Sequence, residues 1–116
     1  MIMSREGVAL IIDDESELCL LLKKYLSRKF KKVEIATTLK EGISMAKQLS
    51  PDVVFLDNNL PDGHGIDYIK LFRLNAKKII LISAMTNLAD LALKLGANYF
   101  IAKPISFKSI DDAINL

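Results

Sequence analysis

The chain has 116 residues, 51% of them apolar, and a net charge of +2. That is enough material for one buried core and not for two. No apolar run approaches the roughly 20 residues of a membrane-spanning helix, no secretory leader pattern opens the sequence, and a single cysteine, Cys19, rules out an internal disulfide. These features are read as a cytoplasmic domain in a reducing compartment. The small net charge gives no argument for a polyanionic partner, and the basic cluster Arg28-Lys29-Phe30-Lys31-Lys32 is read as a solvated turn rather than a nucleic-acid contact.

Val8 to Ile12 is a short apolar run that ends in Asp13-Asp14-Glu15 and is expected to be the first strand. Ser16 is the expected cap of a helix whose apolar positions Leu18, Leu21, Leu22, Tyr25 and Leu26 share one face. Val33 to Ala36 alternates like a half-exposed edge strand, and Thr38-Leu39-Lys40-Glu41 has the form of a capping box opening a helix with Ile43, Ala46 and Leu49 inward. Val53-Val54-Phe55-Leu56 is a strand buried on both faces, ending in Asp57 and breaking at once into the polar loop Asn58 to Gly65.

A helix with Ile66, Ile69 and Phe72 inward follows, then a fourth buried strand, Ile79 to Ile82, ending in Ser83-Ala84. Asn87 is the expected cap of a helix with Leu88, Leu91, Ala92 and Leu95 inward, stopped by Gly96. Tyr99 to Ala102 is the fifth strand and leads into Lys103-Pro104. The last helix starts near Ser106 with Phe107, Ile110 and Ile114 on one face. Five strands alternating with five helices predict a single α/β domain, a parallel sheet covered on both faces.

In such a sheet the carboxyl ends of all strands lie on one edge, and four of them carry chemistry: Asp13 and Asp14, Asp57, Ser83 and Lys103. If the first and third strands are neighbours, as in the flavodoxin-like order 2-1-3-4-5, the three carboxylates converge at the switch point where ligands bind. Convergent carboxylates must take up protons or bind a cation, and an all-oxygen set suits Mg²⁺. Asp57 is then a candidate nucleophile toward phosphorus, with Lys103 as fixed cation and the Ser83 hydroxyl as donor to the bound group.

Leu10-Ile11-Ile12-Asp13-Asp14, Asp57-Asn58-Asn59-Leu60-Pro61 with Gly65, Ser83-Ala84, and Gly96-Ala97-Asn98-Tyr99-Phe100-Ile101-Ala102-Lys103-Pro104 resemble the signature of response-regulator receiver domains over essentially the whole chain. The resemblance implies a (βα)5 sandwich of strand order 2-1-3-4-5. Asp57 would accept a phosphoryl group from a phosphohistidine on a sensor histidine kinase or histidine phosphotransfer protein. Asp14 would bind Mg²⁺ directly and Asp13 mainly through water, with Asp57 and the backbone carbonyl of Asn59 completing the protein ligands. Ser83 and Phe100 would form a switch pair acting on the surface of the fourth helix, fifth strand and fifth helix, Lys103 would contact the phosphoryl group, and the Lys103–Pro104 peptide would be cis. Residues 1–116 would be one receiver domain without an output domain, catalysing only its own phosphorylation and dephosphorylation and passing the signal to an unidentified protein.

Each residue also has a plainer reading. Paired aspartates before a helix serve as N-terminal caps. The single histidine, His64, sits between glycines and is read as solvated, Cys19 as a small packing residue, Tyr99 as facing opposite to Phe100, and Leu93 as exposed off its helix's inward stripe. It is the joint placement of Asp13 and Asp14, Asp57, Ser83 and Lys103 at four strand ends that favours a phosphoryl site. The rival from another class is a Mg²⁺-dependent phosphohydrolase that forms an aspartyl phosphate. Such enzymes resembling haloacid dehalogenases use a second aspartate two residues after the nucleophile as general acid, and here Asn59 holds that position. A nucleotide or flavin binder would need a Gly-rich turn after the first strand, where this chain has acids.

Overall fold

In the computed structural model, residues 7–115 are described. Strands β1 (Val8–Ile12), β2 (Lys32–Ala36), β3 (Val53–Asp57), β6 (Lys78–Ser83) and β7 (Tyr99–Ala102) form one parallel sheet in the order β2-β1-β3-β6-β7. Two further strands, β4 (Asn59–Leu60) and β5 (Gly63–His64), pair with each other in a separate two-stranded sheet. Counting the sheet strands alone, the order is the expected 2-1-3-4-5, and the small hairpin is the one strand pair that periodicity did not indicate.

The alternation of side chains along the strands divides the core in two. Leu10, Ile12, Val54, Leu56, Ile79 and Leu81 face helices α2 (Leu39–Leu49), α3 (Ile69–Phe72) and α4 (Ala89–Leu95), which contribute Ala46, Ile69, Phe72 and Ala92. Ala9, Ile11, Val53, Phe55, Ile80 and Ile82 face helices α1 (Ser16–Leu26) and α5 (Phe107–Ile114), which contribute Cys19, Leu22, Leu26, Ile110 and Ala113. All five residues of β3 are buried, as its unbroken apolar run predicts. Tyr99 packs on the α1/α5 face and Phe100 on the other, so their expected opposition holds.

Several helix expectations need correction. Ser16 is the first residue of α1; the cap position is Glu15, which makes no side-chain cap bond, and its amide instead donates to Asp13 Oδ1 at 2.9 Å. The inward stripe of α1 is Cys19, Leu22 and Leu26, and Leu21 is 52% exposed, because the helix turns its Leu18/Tyr25 flank rather than its Leu21 flank to the sheet. Asn87 is not a cap: it lies within a 3-10 turn, Thr86–Leu88, and α4 begins only at Ala89. Leu91 is 46% exposed, as is Leu93 at 49%. Phe107 is not core either; its ring stacks on Tyr25 with centroids 4.2 Å apart, at the rim where α5 meets α1. The Tyr25 hydroxyl donates to Asp111 Oδ1 at 2.6 Å and closes the same helix pair. Thr38 does cap α2, its Oγ accepting from the Glu41 amide at 3.1 Å, while the Glu41 carboxylate accepts from Thr37 rather than from the cap residue. Gly96 ends α4 at φ +116°, where only glycine sits without strain.

Beyond Gly96, Asn98 extends the sheet with a side chain. Its amide donates to the Ile79 carbonyl at 2.8 Å, and its Oδ1 accepts from the Ile79 amide and from Arg73 Nη1, both at 2.9 Å. Asn98→Ala leaves the amide at the start of β6 without its acceptor, and is expected to lower the unfolding free energy by about 1–2 kcal/mol, measured as a drop in the urea midpoint at constant slope.

Candidate functional site

The parallel register carries the chemistry to one edge. Ile12 pairs with Leu56 and with Ala36, Asp57 with Ile82, and Ser83 with Ala102, so Asp13, Asp57, Ser83 and Lys103 emerge side by side. The ladder runs one rung further: the amides of Asp13, Asn58 and Lys103 donate to Ala36, Ile82 and Ser83 carbonyls at 3.0, 3.0 and 3.1 Å. Strand ends held this way are rigid supports for short side chains.

One carboxylate oxygen from each of Asp13, Asp14 and Asp57 lies within 4.8 Å of the other two. Asp13 and Asp57 are buried, at 2% and 3% exposure, and Asp14 is exposed. Asp57 is met on one oxygen by Lys103 Nζ at 2.8 Å and on the other by the Asn59 amide at 3.1 Å. Asp13 uses Oδ1 for the Glu15 amide, and among the described residues its Oδ2, shut off from solvent, has no hydrogen-bond partner; Asp57 Oδ1 likewise has only the Lys103 ion pair. Three clustered carboxylates, one of them with a buried, unpartnered oxygen, are a donor set that fits a hard divalent cation.

The electrostatics agree. Burial pushes the Asp13 carboxyl up to about 6, against the Glu15 amide, which holds it down; Asp57 pushes it further and Lys103 resists. Burial likewise raises Asp57 above the usual carboxylate range, with the contact to Lys103 working against it. Burial pulls the Lys103 ammonium down, but Asp57, Asp13 and Glu15 outweigh that and hold it above its ordinary value. Lys103 also lies 3.6 Å from Glu15, a neighbour that reading the sequence did not single out.

The remaining expected residues are placed as follows. Ser83 is buried, and its Oγ accepts from the Met85 amide at 3.0 Å. Phe100 is half-buried against the α2/α3/α4 core. The Lys103–Pro104 peptide is cis. His64 is exposed. Cys19 is buried, its thiol donating to the Asp13 carbonyl at 3.2 Å, and burial pushes it up to about 11, so it is an unreactive packing group beneath the acids. Gly65 has a sharper reason for being glycine than a loop exit requires: a Cβ there would collide with the Asp57 carbonyl oxygen.

Two residues of the loop escaped sequence reading. Asn58 is buried, donating to Ile82 as above, accepting at its carbonyl from Gly65 at 2.8 Å and at Oδ1 from the Ile66 amide at 3.0 Å. Asp62 reaches back to α2, accepting from the Leu39 and Lys40 amides at 2.8 and 3.0 Å. A buried asparagine after a strand acid is a faint sequence signal; the Asp62 contacts, across a gap of more than twenty residues, leave none.

A doubly wound parallel domain with an acidic cluster and a lysine at its carboxyl edge belongs to the flavodoxin-like α/β class. Within it the family is specific: a sequence model of the response regulator receiver domain matches residues 9–115, and the chain belongs to that family. It is 34% identical over 111 residues to the chemotaxis protein CheY of Thermotoga maritima, covering 91% of this chain and 92% of that protein. It is 36% identical over 98 residues to the KDP operon transcriptional regulatory protein KdpE of Escherichia coli, covering 82% of this chain but 44% of that protein. Against several other curated relatives it likewise spans about half their length or less. A CheY-like receiver domain from Methylobacillus flagellatus superposes with a TM-score of 0.84 over 97% of this chain and 98% of that one at 24% identity. A Burkholderia pseudomallei response regulator, described with a phosphorylated aspartic acid and a calcium ion, has a TM-score of 0.85 at 24% identity, over 93% of this chain and 66% of that one; both likenesses bear on the fold.

The raised Asp13 value sets a pH dependence. Its folded pKa lies above the unfolded one, so the stability it contributes is present below about pH 4 and lost as pH rises through about 6. Asp13→Asn is therefore expected to stabilise the metal-free fold by about 1–3 kcal/mol at pH 7, with the gain vanishing near pH 4. Urea unfolding of both proteins across that range checks it; a gain that did not shrink on acidification would refute the assignment.

Proposed function

We propose that this receiver domain is switched by phosphorylation of Asp57. The observation that carries the reading is a buried carboxylate held 2.8 Å from a lysine ammonium, inside a cluster of three acids at the strand ends. An Asp57 oxygen attacks the phosphorus of a partner's phosphohistidine, an O–P bond forms, the P–N bond breaks, and the imidazole leaves, regaining its proton from solvent. Lys103 supplies fixed positive charge where the transferring oxygens arrive. Ser83 Oγ already accepts from Met85, which leaves its own hydrogen free to donate to a phosphoryl oxygen.

The residues that would hold Mg²⁺ are Asp13, Asp14, Asp57 and the backbone carbonyl of Asn59. When bound, the ion would neutralise the carboxylates and the transferring oxygens together. Hard oxygen donors favour Mg²⁺ over softer metals. Phosphorylation replaces the Asp57 contact with a bulkier dianion. Ser83 moves toward it and Phe100 turns inward, altering the surface of α4, β7 and α5, where Leu93 is exposed.

The donor class is a sensor histidine kinase or histidine phosphotransfer protein in the cytoplasm, and the target is a protein that reads the altered surface. Among the described residues no helix is long and apolar enough to cross a membrane. Residues 1–116 are read as one receiver unit. Turnover of external phosphate esters is not part of this function, because Asn59 cannot act as the general acid a phosphohydrolase needs.

Incubation with Mg²⁺ and acetyl phosphate is expected to add the mass of one phosphoryl group to the intact protein, and Asp57→Ala to abolish the gain. No gain with any small donor or cognate phosphohistidine would sink the reading, and steady release of phosphate from esters would favour the hydrolase. Lys103→Ala is expected to permit some phosphorylation while weakening the conformational response; an unchanged phosphorylation-linked spectral shift in that variant would remove the role given to Lys103.

A further inference from the structure

The hairpin β4–β5 carries Asn59 at its start, so the way the hairpin lies decides where the Asn59 peptide points. Its base is fixed by Asn58, through the backbone and side-chain bonds to Ile82, Gly65 and Ile66. Those bonds hold residues 58, 65 and 66, and Asp57 Oδ2 takes the Asn59 amide at 3.1 Å, so the tilt of the hairpin beyond that amide is left to Leu60, packed against the core, and to the tip. At the tip, the two residues Pro61 and Asp62 connect Leu60 to Gly63, which are register partners. Asp62 divides its carboxylate between two successive amides at the amino end of α2, Leu39 at 2.8 Å and Lys40 at 3.0 Å. Gly63 seats the tip closely: at φ +151°, a Cβ would lie 3.1 Å from Leu39 Cδ1.

We propose that Asp62 is a positioning residue for the metal: its two bonds to α2 set the tilt of the hairpin and hence the aim of the Asn59 carbonyl. The inference rests on the proposed role of that carbonyl. Asp62 is more than a spare helix cap, because α2 has its own in Thr38, whose Oγ takes the Glu41 amide. Asp62 satisfies the two amides that Thr38 does not reach and does so from the loop that follows the phosphoacceptor. The Asp62 carboxyl is held below its usual range by the Leu39 and Lys40 amides, consistent with an ionised clamp at neutral pH.

Calorimetric titration with Mg²⁺ tests this on three variants. Asp62→Ala is expected to weaken binding about tenfold, the lower end of what loss of outer support costs a metal site, and to speed hydrogen exchange of the Leu39 and Lys40 amides. Asp62→Asn keeps one acceptor oxygen and is expected to fall between Asp62→Ala and the parent. Thr38→Ala removes only the cap on the Glu41 amide and leaves both Asp62 bonds in place, so it is expected to leave Mg²⁺ affinity unchanged, although it lowers stability. Unchanged affinity in Asp62→Ala, or an equal loss in Thr38→Ala, overturns the clamp while leaving the phosphorylation reading intact. Absence of Mg²⁺ binding by the parent protein would remove that reading and the clamp with it.

Discussion

The contact between Lys103 and Asp57 is the interaction on which the carboxyl edge of this domain depends. A carboxylate at 3% exposure has lost most of its hydration, and burying an unpaired charge is among the costlier things a fold can do. Asp57 tolerates it because an ammonium sits 2.8 Å away and a backbone amide meets the other oxygen. Asp13 enjoys less: one amide on one oxygen and, among the described residues, neither a hydrogen bond nor an ion pair on the other. The edge is therefore partly neutralised, with two buried acids and one nearby cation, and that imbalance is what gives it an appetite for a further positive charge. A fully satisfied cluster would be more stable and have no reason to bind anything.

The sheet supplies the geometry that makes this imbalance reproducible. Parallel register leaves little freedom to slide a single strand, since a one-residue slip in β3 would turn Asp57 toward the opposite face and exchange the side chains packed against its two helical layers, putting Phe55 where Val54 or Leu56 now fits. The hydrophobic pattern of β1, β3 and β6 thus locates the acids indirectly: Val54 and Leu56 must face α2 and α3, Val53 and Phe55 must face α1 and α5, and Asp57 falls at the end. Core packing and chemistry are specified by the same residues.

That coupling explains what was legible in the sequence. Strands buried on both faces announce themselves as continuous apolar runs, and the acids, serine and lysine at their ends followed from the parallel topology. Helix faces were less legible. The spacing in α1 admits two adjacent stripes, and only the sheet chooses the one with Cys19 over the one with Leu21; Phe107 looks like a core residue until Tyr25 on another helix offers it a stacking partner. Asn87 has a cap's chemistry, yet a 3-10 turn intervenes before α4. Asp62 was hidden for the opposite reason: Pro61-Asp62-Gly63 reads fully as a turn, and nothing local betrays that its carboxylate serves a helix in the preceding βα unit.

The two sides of the site are constrained unequally, and the inequality has a direction. On the β3 side, Asn58 makes three bonds at the hairpin base and Asp62 ties the tip to α2, an eleven-residue helix with its own side-chain cap. On the β6 side, Ser83 is followed by a single 3-10 turn and then α4, seven residues long, with no side-chain cap at its start and with Leu91 and Leu93 exposed. Elements with few caps and little buried apolar area open or shift at lowest cost. Under the proposed phosphorylation, charge added at Asp57 would meet a braced wall toward α2 and a lightly held segment toward α4. The structural response would then be directed away from Asp13, Asp14 and Asn59 and toward the α4 surface, so the acid cluster would keep its geometry while its surroundings changed.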